Sequence, residues 1–143
     1  MSSFNKQYDG FASNIITNAI VFPGVKLEKI TIETPRHFSE NALWDTGAQI
    51  TVISDKVVKS LGLTPYGKGT VMGIGGEDDV DTYHIHVLLP NGFLVCDVEA
   101  YCSDIEDDIL IGMDIISLTD FIITNKDCKT NFIMRAPSEG VNL

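Results

Sequence analysis

The stretch Ala42-Leu43-Trp44-Asp45-Thr46-Gly47-Ala48-Gln49-Ile50-Thr51-Val52-Ile53-Ser54 decides the fold. One apolar run leads into a lone carboxylate, the chain turns, and a second apolar run leads away. Gly47 permits a close backbone approach that a Cβ would forbid, and Thr46 places a hydroxyl next to the Asp45 carboxylate. Apolar residues on both sides of such a turn favour a functional aspartate, and the alternative is a polar turn between two strands.

The composition indicates one globular domain covering residues 1–143. Hydrophobic residues make up 44% of the chain and charged residues 21%, a balance typical of a folded protein of this length. The net charge of −10 argues against binding of nucleic acid through its phosphates. Contact with a membrane is not expected, since no apolar run reaches the length of a membrane span and residues 1–20 lack the pattern of a signal peptide.

The cysteines and the N-terminus give two further expectations. Cys96, Cys102 and Cys128 are odd in number and match no metal or redox spacing. They predict reduced thiols and therefore a cytoplasmic protein. Residues 1–12 are polar and contain glycine, so we expect them to form a flexible arm that is ordered only if another part of the protein holds it.

Short runs rich in Ile and Val, separated by turn residues, predict a mainly β protein. The clearest helix runs from Ser54 to Leu61, with Ser54 as its N-cap and Gly62 at its end. A loop is predicted over 35–41, and Pro90-Asn91-Gly92 predicts a hairpin turn. The predicted strands are 14–22, 25–34, one beginning at 42, 70–72, 81–89, 93–101, 121–124 and 131–134, with a strand and a short helix over 108–116. Many short strands with one or two short helices predict a closed, mostly antiparallel β-barrel.

A glycine cluster, Met72-Gly73-Ile74-Gly75-Gly76, is the second notable motif. It does not match a nucleotide-binding Gly-x-Gly-x-x-Gly loop, because Asp78 stands at the third glycine position. Two alternatives remain. One is an ordinary tight hairpin, and the other is a flap whose glycines allow it to hinge over a cleft. The third motif, Ile109-Leu110-Ile111-Gly112-Met113-Asp114, predicts a core strand that enters a short helix.

The three motifs, in this order, resemble the retroviral-type (retropepsin-like) aspartic proteases. Asp-Thr-Gly-Ala at 45–48 is similar to their active-site loop, Gly-Ile-Gly-Gly at 73–76 to their flap tip, and the apolar-Gly element at 109–112 to the segment behind their catalytic loop. The resemblance spans residues 25–134 and implies a closed retropepsin-like (acid protease) β-barrel.

The chain departs from the viral enzymes at one pair of positions. Many of those enzymes carry an Arg after the glycine of the third motif, paired with an acidic residue after Asp-Thr-Gly-Ala. Met113 and Gln49 stand at these positions. In this respect the chain resembles bacterial retropepsin-like proteins and the eukaryotic DNA-damage-inducible retroviral-like proteases more than the viral branch.

The resemblance implies that Asp45 activates water, that Thr46 braces the loop across a dimer, and that Gly47 allows substrate to approach. Hydrolysis by carboxylates needs two of them sharing a proton. One Asp-Thr-Gly per chain therefore requires a homodimer, with strands 121–124 and 131–134 at the interface. The resemblance implies no metal or other cofactor. The residues expected to contact a peptide or protein substrate are Ala48, Gln49, Met72, Gly73, Ile74, Gly75 and Gly76.

The predicted function is therefore that of an aspartic endopeptidase. The alternative is a peptide-binding or scaffolding dimer that kept the cleft and lost turnover.

The other features have structural interpretations. His84 and His86 alternate on one strand without a legible third metal ligand. The acidic residues of 104–108 lack the glycine of a calcium loop and predict a solvated turn. Trp44 is expected to pack behind the loop, with a substrate contact as the alternative.

Overall fold

Two β-sheets and two short α-helices make up the residues that the computed structural model describes, 3–73 and 75–142. The helices are α1 (Asp55–Leu61) and α2 (Met113–Ile116), with 3-10 turns at Leu27–Lys29 and Lys126–Cys128. Within these ranges no helix is long and apolar enough to cross a membrane. The strands are β1 (Ser3–Gln7), β2 (Ile15–Pro23), β3 (His37–Trp44), β4 (Val52–Ile53), β5 (Gly67–Gly73), β6 (Gly76–Leu88), β7 (Leu94–Cys102), β8 (Ile109–Ile111), β9 (Asp120–Thr124) and β10 (Asn131–Arg135).

The larger sheet closes on itself. Its strand order is β2-β3-β8-β4-β7-β6-β5, and β2 pairs in addition with β6. Six strands therefore form a hydrogen-bonded ring, and β5 extends from the ring as the outer strand of a hairpin with β6. Most pairs are antiparallel, whereas β3 with β8 and β4 with β7 are parallel. The predicted mainly β fold with short helices is confirmed.

The smaller sheet has the order β1-β10-β9 and packs on the ring through aromatic side chains. The Trp44 ring is buried, with its centroid 5.9 Å from that of Phe121 and 5.3 Å from that of Phe132. Its Nε1–H donates to Thr17 Oγ1 at 2.9 Å, which satisfies the indole inside the core. Trp44 thus packs behind the loop that carries Asp45, as predicted.

Helix α1 begins and ends at the predicted residues. The Ser54 hydroxyl accepts a hydrogen bond from the Val57 N–H at 3.4 Å, which caps the first turn. Gly62 adopts the left-handed conformation, with φ 61° and ψ 37°, where a residue without a Cβ is favoured. Val57 and Leu61 are buried against the ring.

The structure differs from the sequence predictions in three segments. Residues 3–7, expected in a flexible arm, form β1 and pair with β10 along their whole length. Residues 25–34, predicted as a strand, contain a 3-10 turn, and Ile32 is 94% exposed. Strand β3 begins at His37, inside the predicted loop. Residues 25–34 were predicted as a strand because the apolar residues of this exposed segment have the pattern of a strand. Strand β1 was not predicted because its partner, β10, lies at the other end of the chain.

Two polar side chains set aside in the sequence analysis, Asp108 and His86, are buried. Asp108, part of the predicted solvated turn, lies 3.0 Å from His37 Nε2 and 3.4 Å from Lys56 Nζ. Burial raises the pKa of Asp108, but hydrogen bonds from His37 and Ser39 outweigh it and bring the pKa below its ordinary value. His86 is also buried, and its Nε2–H donates to the backbone oxygen of Val25 at 2.6 Å. Among the described residues no cluster of three His, Cys, Asp or Glu side chains forms that could hold a metal.

A carboxylate at the start of β9 anchors the C-terminal segment. Asp120 is buried and accepts hydrogen bonds from the Ser138 hydroxyl and from the backbone N–H groups of Glu139 and Gly140. Arg135 Nε donates to the same carboxylate at 2.9 Å. The Ser138 hydroxyl and the Glu139 N–H, followed by Arg135, hold the pKa of Asp120 well below its ordinary value. This network therefore favours the ionised form of Asp120 in the folded state.

We expect Asp120→Asn to destabilise the fold and to weaken its response to acid. Because the pKa of Asp120 is lower in the folded protein than in the unfolded chain, its stabilisation is complete above about pH 4 and is lost as pH falls towards the folded-state pKa. Denaturant unfolding at about pH 7 and pH 3 measures both effects. The exposed Asp104→Asn is the matched control. Equal loss of stability on acidification in wild type and Asp120→Asn would contradict this account.

Candidate active site

The Asp45 carboxylate is oriented by backbone groups of its own loop. Asp45 follows β3 directly, and its N–H donates to Ile111 O at 2.9 Å on the parallel neighbour β8. The Gly47 N–H donates to Asp45 Oδ1 at 2.8 Å, and the Ala48 N–H donates to Asp45 O at 3.2 Å. Asp45 is half-buried, whereas Thr46 and Gly47 are exposed. The carboxylate is therefore held in one orientation and remains accessible from outside the ring.

Gly47 has a steric reason to lack a side chain. A Cβ at this position would lie 3.2 Å from Asp45 Oδ1, tighter than ordinary van der Waals contact. Gly47 therefore lets its N–H approach the carboxylate without crowding it.

The junction of β8 and α2 supports the loop from behind. The Met113 N–H donates to Ala48 O at 2.8 Å, and the Asp114 N–H donates to Gln49 O at 3.2 Å. A Cβ at Gly112 would lie 2.8 Å from the Ile50 carbonyl carbon and 3.0 Å from Ala48 O. Only glycine permits this contact between the backbones of the first and third sequence motifs.

A half-buried carboxylate, that of Asp114, completes this support. Asp114 Oδ1 accepts from the Thr51 hydroxyl at 2.8 Å, and Oδ2 accepts from the Thr51 N–H at 3.0 Å. The Thr51 hydroxyl is fully buried and also accepts from the Gly112 N–H at 3.3 Å. The sequence analysis missed this pair, although both residues stand in quoted motifs. Asp114 and Thr51 thus connect the two motifs in a chain that has Gln49 and Met113 at the positions of the viral ion pair.

One cavity lies between the loop that carries Asp45 and the hairpin of β5 and β6, which we call the flap hairpin after the predicted role of its tip. We call this cavity the flap-side cavity. Its volume is about 430 Å³. It brings together four of the predicted site residues, Gly47, Ala48, Gln49 and Met72, the last of which is 75% exposed. The other lining residues, which the sequence analysis did not assign to the site, are Ile50, Val52, Thr70, Val71 and Tyr101.

A second cavity, of about 370 Å³, lies on the other side of Asp45 and Thr46. Ser13 and Asn14 contribute to its wall because the N-terminal segment is held in place nearby. Thr130 fixes that segment, since its N–H donates to Gly10 O at 2.9 Å and its hydroxyl accepts from the Ala12 N–H at 2.9 Å. The remaining lining residues are Ile15, Leu43, Trp44, Phe121 and Ile123. The N-terminal segment is therefore part of the surroundings of Asp45, which its polar composition did not signal.

The glycine cluster forms the tip of the hairpin between β5 and β6. Gly73 pairs with Gly76, and Gly76 has a φ of 111°, a conformation that favours glycine. Ile74, predicted to contact substrate, lies outside the described residues. The hairpin geometry is confirmed, and hinging of the hairpin over a cleft stays a prediction.

Comparison with known proteins identifies a family and a similar fold. A family model described as "gag-polyprotein putative aspartyl protease" matches residues 25–117, more than half of the chain. The structure is similar to that of a retropepsin-like aspartic protease from Rickettsia conorii, with a TM-score of 0.53 and 11% sequence identity over 95% of this chain and 98% of that chain. At this identity the similarity shows a shared fold. The sequence finds no match among curated proteins.

Proposed function

Because the chain belongs to the family of gag-polyprotein aspartyl proteases and has a retropepsin-like fold, we propose that it is an aspartic endopeptidase that works as a homodimer. One observation carries the proposal. The Asp45 carboxylate is oriented by the Gly47 N–H at 2.8 Å and lines one cavity, and the next residues of its accessible loop, Gly47 to Gln49, line a second. This arrangement offers a carboxylate to a reacting group and leaves space for a peptide in the second cavity.

The chemistry requires a second carboxylate close to the first. Two carboxyl groups about 3 Å apart share one proton, so that one is ionised and the other is protonated. The ionised group takes a proton from water as the water oxygen attacks the peptide carbonyl, and the protonated group gives its proton to the carbonyl oxygen. Collapse of the tetrahedral intermediate breaks the C–N bond. The amine leaves with a proton from one carboxyl group, and a hydroxyl of the intermediate returns a proton to the other, which restores the singly protonated pair. No metal or cofactor takes part in this proposal.

A two-fold axis beside the loop would supply the second carboxylate. β9 is an edge strand of the smaller sheet, and its Ile123 is 43% exposed. Phe121 and Ile123 line the same cavity as Asp45 and Thr46, which puts the open edge next to the catalytic loop. This supports an interface along β9, with the exposed Thr46 facing the partner. β10 contributes less than its sequence indicates, since Phe132 and Met134 are fully buried within the subunit.

The flap hairpin is proposed to cover the bound peptide. Met72 and Thr70 form one wall of the flap-side cavity, and Ala48 and Gln49 form part of the opposite wall. A peptide between these walls would be shielded from bulk water once the glycine tip closes. The residues proposed to close over the peptide at the hairpin tip are Gly73, Ile74, Gly75 and Gly76.

The alternative function is a peptide-binding or scaffolding dimer with no turnover. The Gly47 hydrogen bond to the carboxylate and the steric requirement at this glycine favour the enzyme, because a binding module needs neither. The cytoplasmic location and the bacterial or DNA-damage-inducible branch stay predictions.

Incubation of the protein with a mixed peptide library tests the proposed function. We expect cleavage between about pH 4 and 7, with a bell-shaped profile of kcat/KM, because the coupled carboxylates act in their singly protonated form. A chelator should leave the rate unchanged. A rate that still rises above about pH 7, or one abolished by chelation, would point to another base or to a metal, and binding without cleavage would favour the scaffold.

A further inference from the structure

An aromatic ring lies where the flap hairpin meets the barrel. Tyr101 stands near the end of β7, its N–H donates to Thr51 O at 3.0 Å, and it pairs with Val52 on the strand that leaves the catalytic loop. Tyr101 also pairs with Thr82 on β6. Its backbone is therefore fixed by both the loop side and the hairpin side of the flap-side cavity.

The ring of Tyr101 rests on the backbone of β5. A Cβ at Gly69 would lie 2.5 Å from Tyr101 Cζ and 2.8 and 2.9 Å from its Cε atoms. These distances are shorter than any normal carbon contact, so the ring occupies the place of a side chain at Gly69. The bare backbone of β5 thus allows Tyr101 to extend under the hairpin and to form part of the cavity wall.

We propose that Tyr101 determines specificity, because its ring limits the size of the substrate side chain that enters the flap-side cavity. This inference rests on the proposed function and adds a preference for aliphatic over aromatic side chains at the peptide position that occupies this cavity in each subunit. The other apolar lining residues are Ala48, Ile50, Val52, Val71 and Met72. Tyr101 is the one aromatic residue among the described lining residues. Its side chain has fewer rotatable bonds than that of Met72, so it is the more rigid part of the cavity wall.

Substitutions at Tyr101 and at Gly69 are expected to change the size limit on the substrate side chain in opposite directions. Truncation of Tyr101 would open space towards β5, and Gly69 has no side chain to fill it. Addition of a methyl group at Gly69 would push the ring away from β5 and into the cavity. The first change should favour large side chains, and the second should favour small ones.

Cleavage profiling of a peptide library tests this inference with four variants. In Tyr101→Ala, the ratio of kcat/KM for aromatic over aliphatic residues should rise about tenfold or more at the two peptide positions that occupy the equivalent cavities of the two subunits, the scale expected when a pocket changes by a few carbon atoms. Gly69→Ala should shift the same positions towards smaller residues, and Tyr101→Phe should keep the wild-type preference. Phe38→Ala is the control, since Phe38 is an aromatic residue that is 70% exposed and lies outside the cavity.

A second measurement keeps the test independent of turnover and of folding. Peptide affinities for Asp45→Asn, with and without the change at Tyr101, should show the same shift in the aromatic-to-aliphatic ratio. Tyr101→Leu replaces Tyr101→Ala if the latter does not fold. An unchanged profile in a folded Tyr101 variant, or a change spread equally over all peptide positions, would overturn the inference. Failure of the wild type to cleave any peptide would instead overturn the proposed function, while the affinity ratio would still test the role of Tyr101.

Discussion

Replacement of Asp45 by asparagine is expected to abolish peptide cleavage and to leave the fold unchanged. The amide has nearly the same shape, and its oxygen can still accept the Gly47 N–H. An amide cannot take a proton from water, so the variant lacks the base on which the mechanism depends. We expect kcat/KM to fall by roughly 10³-fold or more, as for the loss of an essential acid–base group. Steady-state kinetics on a cleaved library peptide measures the loss.

Two controls are needed to interpret this result. Asp9→Asn removes an exposed carboxylate that also stands next to a glycine, Gly10, and should retain wild-type activity. Circular dichroism and sedimentation should show that Asp45→Asn keeps the secondary structure and the assembly of the wild type. A variant that hydrolyses peptides at the wild-type rate would show that Asp45 is not the catalytic carboxylate.

Gly112→Ala should cause the second largest loss of activity. Its new methyl group would lie within 3.0 Å of backbone atoms of Ile50 and Ala48, which cannot rotate away as a flexible side chain can. The loop that carries Asp45 must therefore shift. Since a misplacement of about 1 Å can cost on the order of 100-fold in rate, we expect kcat/KM to fall by roughly that factor.

Ser117→Ala, an exposed substitution in the same segment, is the control for this prediction. It leaves the contact between Gly112 and the loop intact and should keep full activity. Thermal unfolding should separate loss of the fold from displacement of the loop. Full activity in a folded Gly112→Ala protein would show that the close contact does not position Asp45.

The features that sequence predicted well are those encoded locally. The cap at Ser54 and the glycine at 62 mark the ends of α1 because both signals lie within one helix. The Asp45 turn and the strand-to-helix element at Gly112 were recognised from short motifs. Such motifs identify a loop and a strand, but they do not say how the two are joined.

The features that sequence missed depend on contacts between distant residues. Asp114 and Thr51 stand 63 positions apart, and neither shows alone that it is half of a pair. Strand β1 is ordered by β10 at the other end of the chain, so its polar composition indicated an arm. Ile32 is 94% exposed but contributed to the wrong prediction of a strand, because the sequence does not distinguish an apolar residue at the surface from one in the core.

The proposed mechanism requires above all that each active site takes one aspartate from each of two subunits. The exposed edge of β9 beside Asp45 favours that arrangement. In such a dimer the monomer holds half a site, so dilution below the dissociation constant should reduce specific activity.

The most direct test mixes a fixed amount of wild type with increasing Asp45→Asn and allows the subunits to exchange. If both aspartates are needed, activity per wild-type chain should fall in proportion to the wild-type fraction, to about one-tenth at a ninefold excess of the variant, because most wild-type chains then have an inactive partner. Asp9→Asn added in the same excess should cause no such fall. Activity per wild-type chain that stays constant as Asp45→Asn is added, with sedimentation showing an active monomer, would contradict the account.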